Sequence, residues 1–337
     1  MQPRLQSFLI IQTAFIGDVI LATGLIEKLH QQYPEAAIDF LLRKGNEGLL
    51  TGHPKLRNVL IWDKKKSKVL NLVKIIFKVR KSRYDGVINV HRFASSGFIT
   101  ALSGSKLKIG FNKNPVSFFF NRKIDHPIGS LHEVQRNHRL IESITDSNVA
   151  KPRLYPSEKD FEKVNPRKTE KYICVAPTSV WFTKQLPPEK WIDLLISIKD
   201  RMPKIYLLGA PADHHVCESI RLAVGFNGVI NLAGQLSFLE SAALIKDAAM
   251  NYVNDSAPMH LASAMNAPVT AVFCSTVPSF GFGPLSDHSM VVETQEQLDC
   301  RPCGLHGYKD CPKGHFKCAY SISRDDLQNT LRSEIGK

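Results

Sequence analysis

Short apolar runs alternate along the chain with longer stretches whose apolar residues recur every three or four positions. In the first half, Phe8–Gln12, Ala37–Leu42, Asn58–Trp62, Gly86–Val90 and Leu107–Gly110 read as strands. Asp18–Gln32, Lys68–Arg80, Ser95–Leu102 and Leu131–Ile144 read as helices. The second half repeats the scheme, with strands at Tyr172–Ala176, Lys204–Gly209, Val229–Leu232, Met250–Asn254 and Val269–Phe273. Its helices are Pro188–Arg201, Ala212–Val224, Ser237–Lys246 and Pro258–Met265, and a final one, Arg324–Ile335, is free to pack on either half.

Strands alternating with helices predict βαβ units and a parallel sheet in each half, so the fold class is α/β. The stretch "KPRLYPSEKDFEKVNPRKTE", residues 151–170, is polar with three prolines and reads as a linker. The expected organisation is a Rossmann-like domain over 1–150, the linker over 151–170, and a second Rossmann-like domain over 171–337, the two facing across a cleft. A glycosyltransferase, a dehydrogenase and a hinged binding protein all fit two such halves. The dehydrogenase needs G-x-G-x-x-G after a strand, and neither half has it. The hinged binding protein is usually exported, and "MQPRLQSFLIIQTAF" is too short and too broken by polar residues for a signal peptide. It reads as a first core strand, with a cytoplasmic protein as the expectation.

Charge narrows the partners. The 337 residues carry a net +13, which favours an anionic partner: nucleic acid, a phosphorylated glycolipid or a membrane surface. No recognised nucleic-acid motif accompanies the charge, which disfavours the first. Much of it lies in "DKKKSKVLNLVKIIFKVRKSRYD", a basic amphipathic stretch of the kind that lies on membranes, or an ordinary sheet-covering helix with a solvated basic face. Lys65, Lys66 and Lys68 suit an anionic acceptor, and so do His91 and Arg92 at the end of a strand.

Three loops of the second half follow strand ends, where open α/β sheets bind ligands. "VNDSAPMH" places Asp255 and Ser256 before a helix opening at Pro258, with His260 one turn in. Such a helix end suits a diphosphate, and the same residues also serve as a plain N-cap. "VAPTSVWFTKQLPPEKW" carries Thr178, Ser179 and Lys184, the lysine suited to phosphate or else merely solvated. "LLGAPADHH" carries Asp213, suited to ribose hydroxyls or to the helix dipole. The first half holds a puzzle: in "IIQTAFIGDVILATGL" the strand, glycine turn and helix of a phosphate cradle are followed at once by an acid, Asp18, which would repel phosphate.

In this order, "GDVILATGLIEKL", "HRFASSG", "KIGFNK", "PTSVWFTKQLPPEKW", "LLGAPAD", "LAGQLSFLESAALI" and "NDSAPMHLASAMNAPVTAVF" resemble the bacterial ADP-heptose:lipopolysaccharide heptosyltransferases, glycosyltransferase family nine. The resemblance runs over most of the chain and implies a GT-B fold and a metal-independent, inverting transfer with no cofactor. It implies a nucleotide-sugar donor, ADP-heptose, on the second domain and an inner-core lipopolysaccharide acceptor on the first. Asp18 then becomes the general base, since a hydroxyl attacking an anomeric carbon needs one nearby. The resemblance gives Thr178, Ser179 and Lys184 to the donor phosphates, Asp213 to the nucleoside, and Asp255, Ser256 and His260 to the sugar-phosphate. With the basic stretch, the expected location is the cytoplasm, peripheral to the inner face of the cytoplasmic membrane. Ala257 stands where the motif commonly has glycine, and the Trp–Pro that commonly follows the lysine is absent. The alternatives are another nucleotide-sugar donor, or a non-catalytic protein that binds nucleotide sugars or polyanions.

Of seven cysteines, Cys174 and Cys274 lie in apolar runs and read as buried thiols of a reduced protein. Cys300, Cys303, Cys311 and Cys318 crowd the tail. C-x-x-C is a zinc-type spacing and the C-x6-C that follows is looser, so a structural metal and free thiols both remain open; no catalytic metal is expected.

Overall fold

The computed structural model of the protein describes residues 5–64 and 67–335. The chain divides into two compact units, Met1–Tyr155 and Pro156–Lys337.

The first unit runs β1 (Ser7–Ile11), α1 (Ile16–Gln32), β2 (Ala37–Arg43), β3 (Asn58–Trp62), α2 (Lys68–Ser82), β4 (Gly86–Asn89), α3 (Ala94–Ala101), β5 (Leu107–Phe111), β6 (Arg122–Ile124) and α4 (Glu133–Arg139). Its sheet is parallel, in the order β3-β2-β1-β4-β5-β6. Phe8, Leu9, Ile10 and Ile11 of central β1 are all fully buried. An apolar run without alternation is what a strand covered by helices on both faces requires.

The second unit opens with α5 (Glu158–Val164), then β7 (Tyr172–Ala176), α6 (Pro188–Ile198), β8 (Lys204–Leu207), α7 (His214–Val224), β9 (Val229–Asn231), α8 (Phe238–Lys246), β10 (Met250–Asn254), α9 (Ala257–Met265), β11 (Val269–Phe273), β12 (Ser289–Glu293), α10 (Lys317–Tyr320) and α11 (Arg324–Ile335). Its parallel sheet has the order β12-β11-β10-β7-β8-β9. Counted from its own first strand, each unit has the doubly wound order 3-2-1-4-5-6. In that arrangement the order reverses beside the first strand, and the loops after β1 and β4, and after β7 and β10, lie at that switch point.

The elements missed by periodicity are short or marginal. Edge strand β6 has a single apolar residue in three, and in β12 the run Met290–Val292 is short, with only Val292 buried. Residues 131–144 hold the seven-residue α4 and a separate single turn at 142–144 rather than one helix, with Ile141 at φ −111° between them and both Leu140 and Ile141 buried. The stretch 151–170 is not extended throughout: Ser157 caps α5, its hydroxyl accepting from the Asp160 N–H, and α5 packs on α8. Helix α11 packs on α6 and β12, with Leu327 and Leu331 buried and the Tyr252 hydroxyl donating to the Leu327 carbonyl at 3.1 Å.

Helix α3 meets the loop carrying Asn114 and Val116 at Gly97. The Asn114 side chain donates to the His91 and Phe93 carbonyls (3.1 and 3.0 Å) and accepts from the Val116 N–H (3.0 Å), holding the loop after β4. A β-carbon at Gly97 would collide with that Asn114 amide and with Val116. Gly97→Ala is therefore expected to destabilise the first unit by about 1–3 kcal/mol, the usual cost of overpacking, measured by urea unfolding. An unchanged midpoint would show that Asn114 can move aside without loss.

Candidate active site

In the first unit the polar residues collect where β1, β3 and β4 end. Asp18 enters on the first turn of α1, where Gly17 and Ile16 bring the chain off β1. One carboxylate oxygen accepts the Phe15 N–H at 3.2 Å, so Asp18 caps its own helix as well as facing the loop region. Burial, then the charge of Glu133, raises its pKa to about 6, against the Phe15 N–H and the Arg92 charge that lower it. Glu133 belongs to a buried cluster. His126 Nε2 lies 3.1 Å from its carboxylate and Arg136 Nε 2.6 Å, and Arg92 Nη1 approaches His126 Nδ1 at 3.5 Å. Burial alone would raise the Glu133 carboxyl, but His126 and Arg136 outweigh it and hold it below the usual range.

His91 sits deeper than an acceptor contact at a strand end suggests. It is 8 % exposed, with Nδ1 3.1 Å from the Thr13 hydroxyl and 3.3 Å from that of Ser96. Burial, then Lys64 and Arg92, push its pKa down to about 3, so His91 contributes a neutral polar group and not a cation. The cation beside it is Lys64, which donates to the Thr13 hydroxyl (2.9 Å) and carbonyl (3.0 Å) and lies 4.6 Å from the Trp62 ring centre. Burial, then Arg43 and Lys68, lower the Lys64 ammonium to about 8. Lys64 could be seen in the sequence only as one lysine among many; its contact with Thr13, fifty-one residues away, could not. Arg92 is half-buried and Lys68 is exposed. Lys65 and Lys66 lie outside the described residues.

In the second unit the loops after β7 and β10 are bound together. Buried Asn254, the last residue of β10, donates to the Pro177 carbonyl (2.8 Å) and accepts from the Leu186 N–H (2.9 Å). It thereby staples both ends of the loop carrying Thr178, Ser179 and Lys184. Gln185 Nε2 donates to the Ser179 carbonyl at 2.7 Å and closes the loop on itself. Thr178 and Ser179 are half-buried. Lys184 is no solvated lysine: its ammonium is 2.7 Å from Asp255 Oδ2 and its side chain only 15 % exposed. The Thr276 hydroxyl donates to the same oxygen at 2.6 Å. An ammonium has three donors, so one bond to Asp255 aims Lys184 and leaves donors for a ligand.

Ser256 is the N-cap of α9, but its hydroxyl donates back to the Asn254 carbonyl (3.3 Å) instead of capping the helix. The first residues of α9, Ala257 and Pro258, are partly exposed and His260 is buried a turn further in. Asp213 accepts the Ala210 N–H at 2.7 Å and is half-buried over Gly209, where an added β-carbon would lie 2.8 Å from the Asp213 Cβ.

The cysteine-rich tail buttresses this site from behind. The Thr183 N–H donates to the Tyr308 carbonyl (3.1 Å) and the Tyr308 N–H to the Thr183 hydroxyl (2.8 Å). Gly307, at φ +75°, is what allows that approach: a side chain there would be strained and would press on Thr183 and Lys184. Cys300, Cys303, Cys311 and Cys318 line one cavity of about 150 Å³ with Thr183 and Ser275. All four are free thiols, with Cys300 Sγ 4.0 Å from His315 Nε2. Among the described residues no three His, Cys, Asp or Glu side chains form a group that could hold a metal ion. Cys174 and Cys274 are buried free thiols, as the apolar runs around them predict.

Known proteins fall in line with this arrangement. A family model described as glycosyltransferase family 9 (heptosyltransferase) matches residues 72–307. The chain is 27% identical over 281 residues to lipopolysaccharide heptosyltransferase 3 of Escherichia coli K12, covering 77% of this chain and 80% of that one. Its fold superposes on the ADP-heptose lipopolysaccharide heptosyltransferase II of E. coli with a TM-score of 0.81 at 19% identity, over 98% of both chains. On an E. coli heptosyltransferase solved with ADP the TM-score is 0.77 at 20% identity, over 98% of this chain and 100% of that one. These folds are GT-B, the two Rossmann-like units the alternation of strands and helices predicts. With most of its length matched by one family model on that fold, the chain belongs to glycosyltransferase family 9 and is a glycosyltransferase.

Proposed function

We propose that the protein moves a heptose from ADP-heptose to a sugar of the lipopolysaccharide inner core, with inversion and without a metal. The observation that carries the chemistry is Asp18: an acid at a glycine turn, raised to about 6 by burial and by Glu133, with the Phe15 N–H donating to its carboxylate. A carboxylate so placed is ionised at neutral pH yet basic enough to take a proton. Asp18 would accept the proton of the attacking acceptor hydroxyl. The hydroxyl oxygen would then form a bond to the anomeric carbon as the bond to the ADP oxygen breaks on the opposite face. The departing diphosphate would be met by Lys184, aimed by Asp255, and by the N–H groups opening α9 at Ala257. Those groups are what stands in for a divalent cation in this reading.

The donor assignment takes support from the relatives. One has ADP-heptose in its description and another was solved with ADP. Thr178 and Ser179 fit the phosphates, Asp213 the ribose hydroxyls, and Ser256 and His260 the sugar-phosphate. In the first unit Arg92 and Lys64 offer cations to an anionic acceptor, while His91 offers a neutral hydrogen bond. Lys68, with Lys65 and Lys66, would extend that attraction. The domains would divide the work accordingly, acceptor on the first and donor on the second. We place the enzyme in the cytoplasm, peripheral to the inner membrane face. No helix among the described residues is long and apolar enough to cross a membrane. A nucleotide-sugar donor other than ADP-heptose is the second reading, favoured by Ala257 at the position where the family motif commonly has glycine.

Asp18→Asn should leave ADP affinity unchanged and cut kcat by about 100-fold or more, read from product formation with ADP-heptose and core acceptors by mass spectrometry. Because the base must be ionised, wild-type kcat/KM should fall about tenfold per pH unit below about 6 and level off above it. Near-normal turnover in Asp18→Asn, or an acid limb that survives the substitution, would reduce Asp18 to a helix cap.

Lys184→Ala should weaken ADP binding by about ten- to a hundredfold in calorimetry, as loss of a charge-assisted hydrogen bond does. It also strands the buried Asp255 carboxylate, so the melting temperature should drop; Lys184→Ala combined with Asp255→Asn should recover melting temperature but not ADP affinity. Wild-type ADP affinity in Lys184→Ala would confine the lysine to a structural ion pair.

A further inference from the structure

Helix α2 carries two apolar stripes where a sheet-covering helix needs one. Leu72, Ile75, Ile76 and Val79 face the core of the first unit. On the other side Val69, Val73 and Phe77 recur on successive turns with Leu70 beside them, and all four face solvent; Val69 is 72 % and Phe77 69 % exposed. Lys74, Lys78 and Lys81 flank that stripe at helical spacing, all exposed. Helix α3 packs beside α2 and adds Phe98 and Leu102, one turn apart and both more than 40 % exposed; Arg80 Nη1 donates to the Leu102 carbonyl at 3.3 Å. Single exposed apolar residues are ordinary on a soluble protein, but a contiguous set with a charged border marks an interaction surface.

The charge distribution selects the partner. From Lys64 to Ile124 the sequence holds fifteen Lys and Arg and a single acid, Asp85. That segment carries +14, so the rest of the chain together carries −1. A second copy of the chain would bring one such field against another. A nucleic acid would meet the lysines but leave the four apolar side chains between them without a partner. An anionic bilayer answers both: lipid phosphates for the lysines, and the boundary between headgroups and acyl chains for the apolar stripe.

We propose that the outward face of α2, extended by Phe98 and Leu102, seats the enzyme on an anionic lipid bilayer. Val69, Leu70, Val73 and Phe77 enter the headgroup region, and Lys74, Lys78 and Lys81 meet the phosphates around them. This rests on the proposed function only in that a lipid-borne acceptor gives such seating its use; the surface itself does not depend on the sugar transferred.

The test is co-sedimentation of the whole protein with vesicles of phosphatidylcholine alone or with one part in about three of phosphatidylglycerol, at low and high salt. The wild type should sediment with the anionic vesicles, stay in solution with the neutral ones, and lose binding as salt screens the lysines. Val73→Glu with Phe77→Glu should reduce anionic-vesicle binding about tenfold or more, and so should Lys74→Glu, Lys78→Glu and Lys81→Glu together, both with wild-type melting temperatures. Equal binding to both vesicle types, or variants that bind like the wild type, would overturn the proposal. So would a homodimer in light scattering that Val73→Glu with Phe77→Glu dissolves. Turnover on a delipidated soluble acceptor separates the two readings. Vesicle binding without turnover defeats the proposed function and leaves this surface standing, and turnover without vesicle binding does the reverse.

Discussion

The constraint on which the structure depends is the burial of two parallel sheets on both faces. Strands such as β1 and β7 bury nearly all of their side chains, so chemistry is displaced to their carboxyl ends. That is why Thr13, Lys64 and His91, or Asn254, Lys184 and Thr276, meet although tens of residues separate them.

At these ends two carboxylates are given opposite electrostatic settings. Asp255 has a lysine ammonium and a threonine hydroxyl on one oxygen, which ties it to a structural role. Asp18 makes no ion pair within 4 Å among the described residues and shares its surroundings with Glu133. The first arrangement spends a charge on orienting Lys184. The second keeps a carboxylate poised to gain and lose a proton. His126 and Arg136 hold the Glu133 carboxyl below its usual range, which keeps that negative charge in the surroundings of Asp18.

The parts of the fold with long, uninterrupted apolar runs were legible in the sequence, and strands β3, β7, β10 and β11 begin and end where those runs do. What escaped was decided by contacts rather than by pattern. Edge strand β6 pairs on one side only and needs no apolar run. Helix α5 is capped by Ser157 inside a proline-rich stretch that otherwise reads as linker. At the candidate site, Asp18, Lys184 and Asp255 stood out because each sits at a turn where a strand pattern ends. The partners that set their behaviour, Glu133, Thr276 and Tyr308, lie in unremarkable surroundings and are brought in only by the tertiary fold.

The placement of α11 bears on how the molecule is made. Leu327 and Leu331 complete the core of the second unit, and the hydroxyl of Tyr252 in central strand β10 finds its acceptor on α11. During synthesis the first unit has all of its strands once β6 has emerged. The second has its sheet after β12 but not the helix that seals it until residues 324–335 leave the ribosome. For that interval the apolar faces of α6 and β10 remain uncovered. The nascent chain thus leaves an apolar surface open to aggregation and to chaperone capture until α11 emerges, and a ribosome stalled before that point would hold a first unit with its sheet complete tethered to an open second one.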